Sequence, residues 1–204
     1  MGGELAESMQ HSPRLTFSLS GVAALTLANG VLLSTAAQDV IKVTPSNNLT
    51  VVIIRHGEKP LNNHNLSCKG LNRALQLPEV LNKKFLNFDH TFVPSLKNGE
   101  HTRHARMFQT VTPLAIKNKL EVNSSFGGKD YDGIAKHLLS KAGTILLVWK
   151  HSKIQNIAQN LGVKNPPQWR KEDFDSIWVI SFKNGKASLE IDKLGINPSI
   201  HCNY

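Results

Sequence analysis

Cysteine is scarce: two residues in 204, Cys68 and Cys202, exclude a disulfide-rich scaffold and a zinc module built on four thiolates. Basic clusters are also lacking. Lys and Arg are scattered and never run to five in a row, and no recognition motif accompanies them, so nucleic acid is not expected as a partner. No heptad or longer repeat is present, which excludes a coiled coil or a solenoid. Long hydrophobic runs are absent except for one uncharged stretch, Leu15 to Leu33. Its most apolar part, Gly21 to Leu33, is short of the roughly 20 residues that cross a bilayer comfortably. What remains is an ordinary globular composition, 40% apolar and 19% charged, at a length that suits one domain with a proper core.

The apolar stretch is followed by Ser34-Thr35-Ala36-Ala37, small residues that fit cleavage of a signal peptide after Ala36 or Ala37. Glu4 and Glu7 outnumber Arg14 ahead of it, but a start at Met9 leaves a segment free of acids. The expectation is a signal peptide over 1–37, a domain over 38–204, and an exported protein, periplasmic or secreted. An uncleaved anchor, the only case with membrane contact, and a buried N-terminal helix are the alternatives. Cleavage removes Arg14, Glu4 and Glu7, so the charge rises from +9 to +10 and favours anionic ligands. An oxidising compartment would let Cys68 and Cys202 bridge; otherwise they are two small buried or half-buried side chains.

Beyond residue 40 strands and helices alternate. Thr50 to Ile54 and Thr144 to Trp149 are short apolar runs that read as fully buried strands, with a third at His90 to Val93. Helical spacing covers 67–81, 102–117, 131–141 and 152–161, with Pro78 and Pro113 expected to kink or interrupt the first two. Asp130 can cap the third helix. Ser176 to Phe182 and Ala187 to Ile191 flank Asn184-Gly185, a hairpin signal. This order predicts a three-layer α/β/α sandwich with a mostly parallel sheet and an antiparallel edge.

Both buried strands run into the same chemistry. The first ends on Arg55-His56-Gly57-Glu58 and the later one on Lys150-His151-Ser152. Ligands of parallel sheets gather at the carboxyl ends of strands, so neighbouring strands would place His56 opposite His151. Arg103 and Arg106 open a helix and add charge. Two imidazoles with guanidinium groups suit a dianion, best a phosphoryl group.

Four stretches resemble the histidine phosphatase superfamily, whose fold is called phosphoglycerate mutase-like: Val51 to Pro60 (VVIIRHGEKP), Leu66 to Ala74 (LSCKGLNRA), Ala105 to Ala115 (ARMFQTVTPLA) and Thr144 to Gly162. They stand in the family's order and spacing and cover about residues 50 to 162. The resemblance implies a phosphomonoester hydrolase acting on a phosphorylated small molecule, with His56 as the nucleophile of a phosphohistidine intermediate. It implies that Arg55, Arg106 and His151 surround the phosphoryl oxygens, Arg106 being favoured over Arg103 by its spacing to Gln109-Thr110. No metal or cofactor is implied. Relatives with a His-Asp pair at the second histidine are not matched, because Ser152 follows His151, and Lys150 stands where relatives can carry an acid. The proton donor for the leaving oxygen is expected at Glu58, with Asp130, Asp132, water, or an acidic leaving group that needs no donor as alternatives; Glu121 lacks the surrounding motif. A mutase is disfavoured because mutases of the family carry longer enclosing segments. A non-catalytic phospho-ligand binder of the same fold is the alternative function. Substrate identity is left to the loops 59–65, 95–103 and 123–130, and oligomeric state stays open.

The physical requirement agrees with this set. An imidazole is a good nucleophile near neutrality once its other nitrogen is held by a backbone carbonyl, expected near Gly57. Phosphate-monoester hydrolysis needs more than roughly 20 kcal/mol of barrier lowering, of which proximity supplies about 7–11. Positive donors at the equatorial oxygens, worth about 3–4 kcal/mol each, must supply the rest.

Overall fold

A computed structural model of the chain describes residues 44–97 and 102–202. The signal peptide expected over 1–37 and His101 lie outside the described residues. No helix among the described residues is long and apolar enough to cross a membrane.

In chain order the elements are β1 (Leu49–Arg55), α1 (Cys68–Lys84), β2 (His90–Phe92), α2 (Ala105–Asn118), β3 (Val122–Asn123), α3 (Tyr131–Leu139), β4 (Gly143–Trp149), α4 (His151–Asn160), β5 (Ser176–Lys183) and β6 (Lys186–Lys193). They form one six-stranded sheet of order β3-β2-β4-β1-β5-β6. β3, β2, β4 and β1 are mutually parallel, whereas β5 and β6 join antiparallel at one side. The β-branched and aliphatic runs become β1 and β4 because those strands are central and covered on both faces. The hairpin turn falls at Asn184-Gly185, both with positive φ.

Strand alternation divides the core in two. Val51, Ile53, Ile145 and Leu147 point to Ile134 and Leu138 of α3 and to Ile154 and Ile157 of α4. Val52, Ile54, Leu146 and Val148 point the other way, to Leu77 and Leu81 of α1 and Met107, Val111 and Leu114 of α2. This is the expected three-layer sandwich.

Two features differ from the sequence reading. α1 runs through Pro78 and α2 through Pro113, neither being interrupted. A helix-interior proline costs about 3 kcal/mol. Here the flanking residues Leu77, Leu81, Val111 and Leu114 are fully buried and outweigh it. β3 has two residues at the sheet edge, too short to show any alternation in sequence.

Candidate active site

β1 and β4 pair in register, with Arg55 opposite Trp149, and the next backbone N–H, that of His56, donates to the Trp149 carbonyl at 3.1 Å. Since α4 begins at His151, directly after β4, the two imidazoles meet at the carboxyl end of adjacent strands.

The hydrogen bonds assign complementary tautomers to these rings. His56 Nδ1 lies 2.7 Å from the Gly57 carbonyl, which can only accept, so Nδ1 carries the hydrogen and Nε2 the lone pair. Arg55 donates to His151 Nδ1 at 3.2 Å, so that nitrogen holds the lone pair and His151 Nε2 carries the hydrogen. One ring is left with a free lone pair and the other with a free N–H. Burial pushes His56 down to about 3, against the Gly57 carbonyl, and the nearby charges of Arg106, Arg55 and His151 lower it further. Burial, Arg55 and Lys150 bring His151 down to about 4, against the pull of Glu172. Both rings are therefore neutral at pH 7.

Arg55 is anchored from the segment before β5. Its guanidinium donates to the carbonyls of Lys171 and Asp173, both at 2.7 Å, and lies 3.6 Å from the centre of the Phe174 ring. Arg106 donates to the His64 carbonyl at 3.2 Å. Arg55 Nε and Arg106 Nε are buried donors with no partner among the described residues, which suits an anion held between them. Thr110 ties the arginine helix to the turn that carries His56: its hydroxyl donates to the Arg106 carbonyl and accepts from Gly57 N–H at 2.9 Å.

Arg55, His56, Arg106 and His151 are thus brought together as expected from the sequence, whereas the acid role expected of Glu58 is corrected. Its carboxylate is gripped by two nitrogens of Arg73, at 2.8 and 3.0 Å, and is nearly buried. Burial alone would raise it, but the Arg73 bonds hold it below the usual carboxylate range, so it has no proton to give. It braces the turn instead, through Arg73 and not through Arg55 or Lys59. Asp130 caps α3 by accepting from Gly133 N–H, as expected, and Glu121 lines a different cavity beside β2 and β3. Arg103 is exposed. His104 donates its Nδ1–H to the Ser95 carbonyl. No three His, Cys, Asp or Glu side chains converge as a metal requires among the described residues.

Sequence reasoning missed the 170–174 segment, Arg73, and the part played by Thr110. The residues of that segment that reach Arg55 are Lys171, Asp173 and Phe174. Trp169 offers a weak signal, for its Nε1–H donates to the same Asp173 carbonyl that receives Arg55.

No family profile and no curated protein sequence matches the chain. Solved structures do. The protein histidine phosphatase SixA complexed with tungstate is 12% identical, with a TM-score of 0.55 over 71% of this chain and 97% of that one. A structure from Escherichia coli, described as a candidate alpha-ribazole-5'-P phosphatase, is 15% identical, with a TM-score of 0.50 over 72% of this chain and 97% of that one. With the parallel β1–β4 pair delivering both histidines to one end of the sheet, this chain has the phosphoglycerate mutase-like fold of the histidine phosphatases.

Proposed function

We propose that the chain is a phosphomonoester hydrolase that works through a phosphohistidine on His56. The observation that carries this is the tautomer pair: a neutral His56 with its Nε2 lone pair free, beside a His151 with Nε2–H free. Nε2 attacks phosphorus, the phosphorus–nitrogen bond forms and the bond to the ester oxygen breaks. The leaving oxygen takes its proton from water, since Glu58 is committed to Arg73. Water then attacks phosphorus, giving up a proton to the hydroxide left by the first step; its oxygen joins the phosphate as the phosphorus–nitrogen bond breaks, the bonding pair returns to Nε2, and His56 regains its starting state. The Gly57 carbonyl steadies the positive ring in between. Arg55, Arg106 and His151 supply positive charge and donors to the equatorial oxygens, and no step calls for a metal.

SixA and the Escherichia coli structure lend the phosphatase reading support through shared fold. Export of the protein is part of the same reading. The Cys68–Cys202 bridge supports it, because disulfides persist in oxidising compartments.

The test is hydrolysis of p-nitrophenyl phosphate by the purified protein with and without chelator. Turnover should survive chelation, and His56→Ala should lower it by at least about 1,000-fold. Acid-labile, base-stable phosphate should be trapped on the wild type alone. Saturable phosphate binding without turnover would instead identify a non-catalytic binder.

A further inference from the structure

Beside the catalytic centre lies a cavity of about 400 Å³, between the segment leading into α2, the loop before α3 and the start of α4. None of Arg55, His56, Arg106 or His151 lines it, but chain neighbours of two of them do. Met107 and Lys150 line the cavity, and they are the chain neighbours of Arg106 and His151. Trp149, whose carbonyl receives His56 N–H, also lines it.

The cavity is strongly one-signed. Lys97, Arg103, Lys129, Lys150 and Lys153 line it against a single carboxylate, Asp130. That carboxylate is engaged at the N-terminus of α3, and none of the ion pairs among the described residues uses any of the five cations. Lys153 is half-buried, its ammonium 5.9 Å from the centre of the Tyr131 ring. Converging cations repel one another, and low-dielectric walls concentrate their field, so the arrangement favours an anion.

The wall is also built with care for its shape. His104 holds a positive φ of 61°, a conformation that side chains other than glycine seldom keep without a reason. Its Nδ1–H donates to Ser95 at 2.8 Å, and its ring lies against Gly128, where an added Cβ would come within 2.8 Å of Cε1. The Gly128 carbonyl in turn accepts from Trp149 Nε1–H at 3.2 Å. A volume of this size matches ligand pockets.

We propose that this cavity is a second anion subsite, so that the substrate is a phosphomonoester whose leaving part carries another phosphoryl or carboxylate group. The inference rests on the phosphatase reading. While the reacting phosphoryl sits at His56, the second anion is held by Lys129, Lys150, Lys153 and Arg103. A substrate with a neutral leaving part leaves those cations unanswered.

The test compares α,ω-alkanediol bisphosphates and ω-phosphooxy alkanoates with alkyl monophosphates of equal length, at fixed ionic strength. The wild type should prefer a doubly anionic substrate by at least about tenfold in kcat/KM, at the chain length that spans the two sites. The larger gain, with phosphoryl or with carboxylate, tells which group is taken. In a Lys129→Met, Lys150→Met, Lys153→Met variant, which keeps the alkyl stems, the preference should fall to within about threefold. Arg103→Met alone should lower it in part. Equal rates in the wild type, or a preference the variants retain, overturn the subsite. Should nothing be hydrolysed, the phosphatase reading fails separately, and calorimetric titration with the same bisphosphates and monophosphates still decides. Tighter bisphosphate binding that the variant loses keeps the subsite, and equal binding removes it.

Discussion

At the scale of single residues, one backbone carbonyl sets the chemistry. The Gly57 oxygen fixes the hydrogen on His56 Nδ1, and burial among Arg106, Arg55 and His151 keeps the ring unprotonated. Because the shift is downward, to about 3, His56 stays neutral throughout the range in which an ordinary histidine titrates. The same holds for His151, brought down to about 4. Once the substrate's own ionisation near about pH 6 is divided out, kcat/KM should therefore be flat from pH 5 to 8. Loss on the acid side should begin only below about pH 5. A break near 6.5 would mean that one of the two rings keeps the ordinary histidine value instead of the lowered one. Glu58 carries a related lesson. Two residues from the nucleophile it reads as an acid, but the Arg73 guanidinium holds it ionised.

Between elements, the turn after β1 rests directly on the first turn of α1. A Cβ at Gly57 would stand 2.8 Å from the Gly70 carbonyl oxygen, and one at Gly70 would stand 2.8 Å from the Glu58 backbone nitrogen. Both neighbours are backbone and cannot swing aside. Glycine at these two motif positions is thus a packing requirement that seats His56. Gly70→Ala should push α1 and the turn apart. It should cost about 1–3 kcal/mol in stability, roughly 4–10 °C in Tm, together with most of the activity. Calorimetry and the aryl phosphate assay check this; an unchanged Tm with full turnover would show that the contact yields.

Across the described molecule, the segment after β6 is latched onto α1. Asn72 donates to the carbonyls of Ser199 and His201, Arg73 to that of Ile196, and Cys68 is bridged to Cys202 with their Cα atoms 4.9 Å apart. The bridge closes a sequence separation of 134 residues, which chain entropy values at about 5 kcal/mol. Arg73 belongs to both the latch and the brace on Glu58, so the segment after β6 reaches the turn that carries His56 through one side chain. Reduction of the bridge should lower Tm by roughly 5–15 °C. Thermal scans with and without dithiothreitol measure it, and coincident curves would show that the bridge stabilises nothing.

Periodicity and the apolar runs were enough to determine the elements other than the two-residue β3, their alternation, and a largely parallel sheet with an antiparallel edge, because all three depend on local spacing and burial. Arg55, His56 and His151 were legible at the ends of the two apolar strands, whereas Arg106 was set apart from Arg103 only by the resemblance of its spacing to Gln109-Thr110. Sequence could not determine which groups answer those residues from far along the chain. Arg73 on Glu58, Thr110 under Gly57, and the Lys171 and Asp173 carbonyls on Arg55 follow no spacing rule. Nor could it show that five scattered cations would converge on one cavity. Those partnerships exist only once the layers pack, since a guanidinium or carboxylate takes whichever counterpart the fold brings within reach, at any separation in sequence.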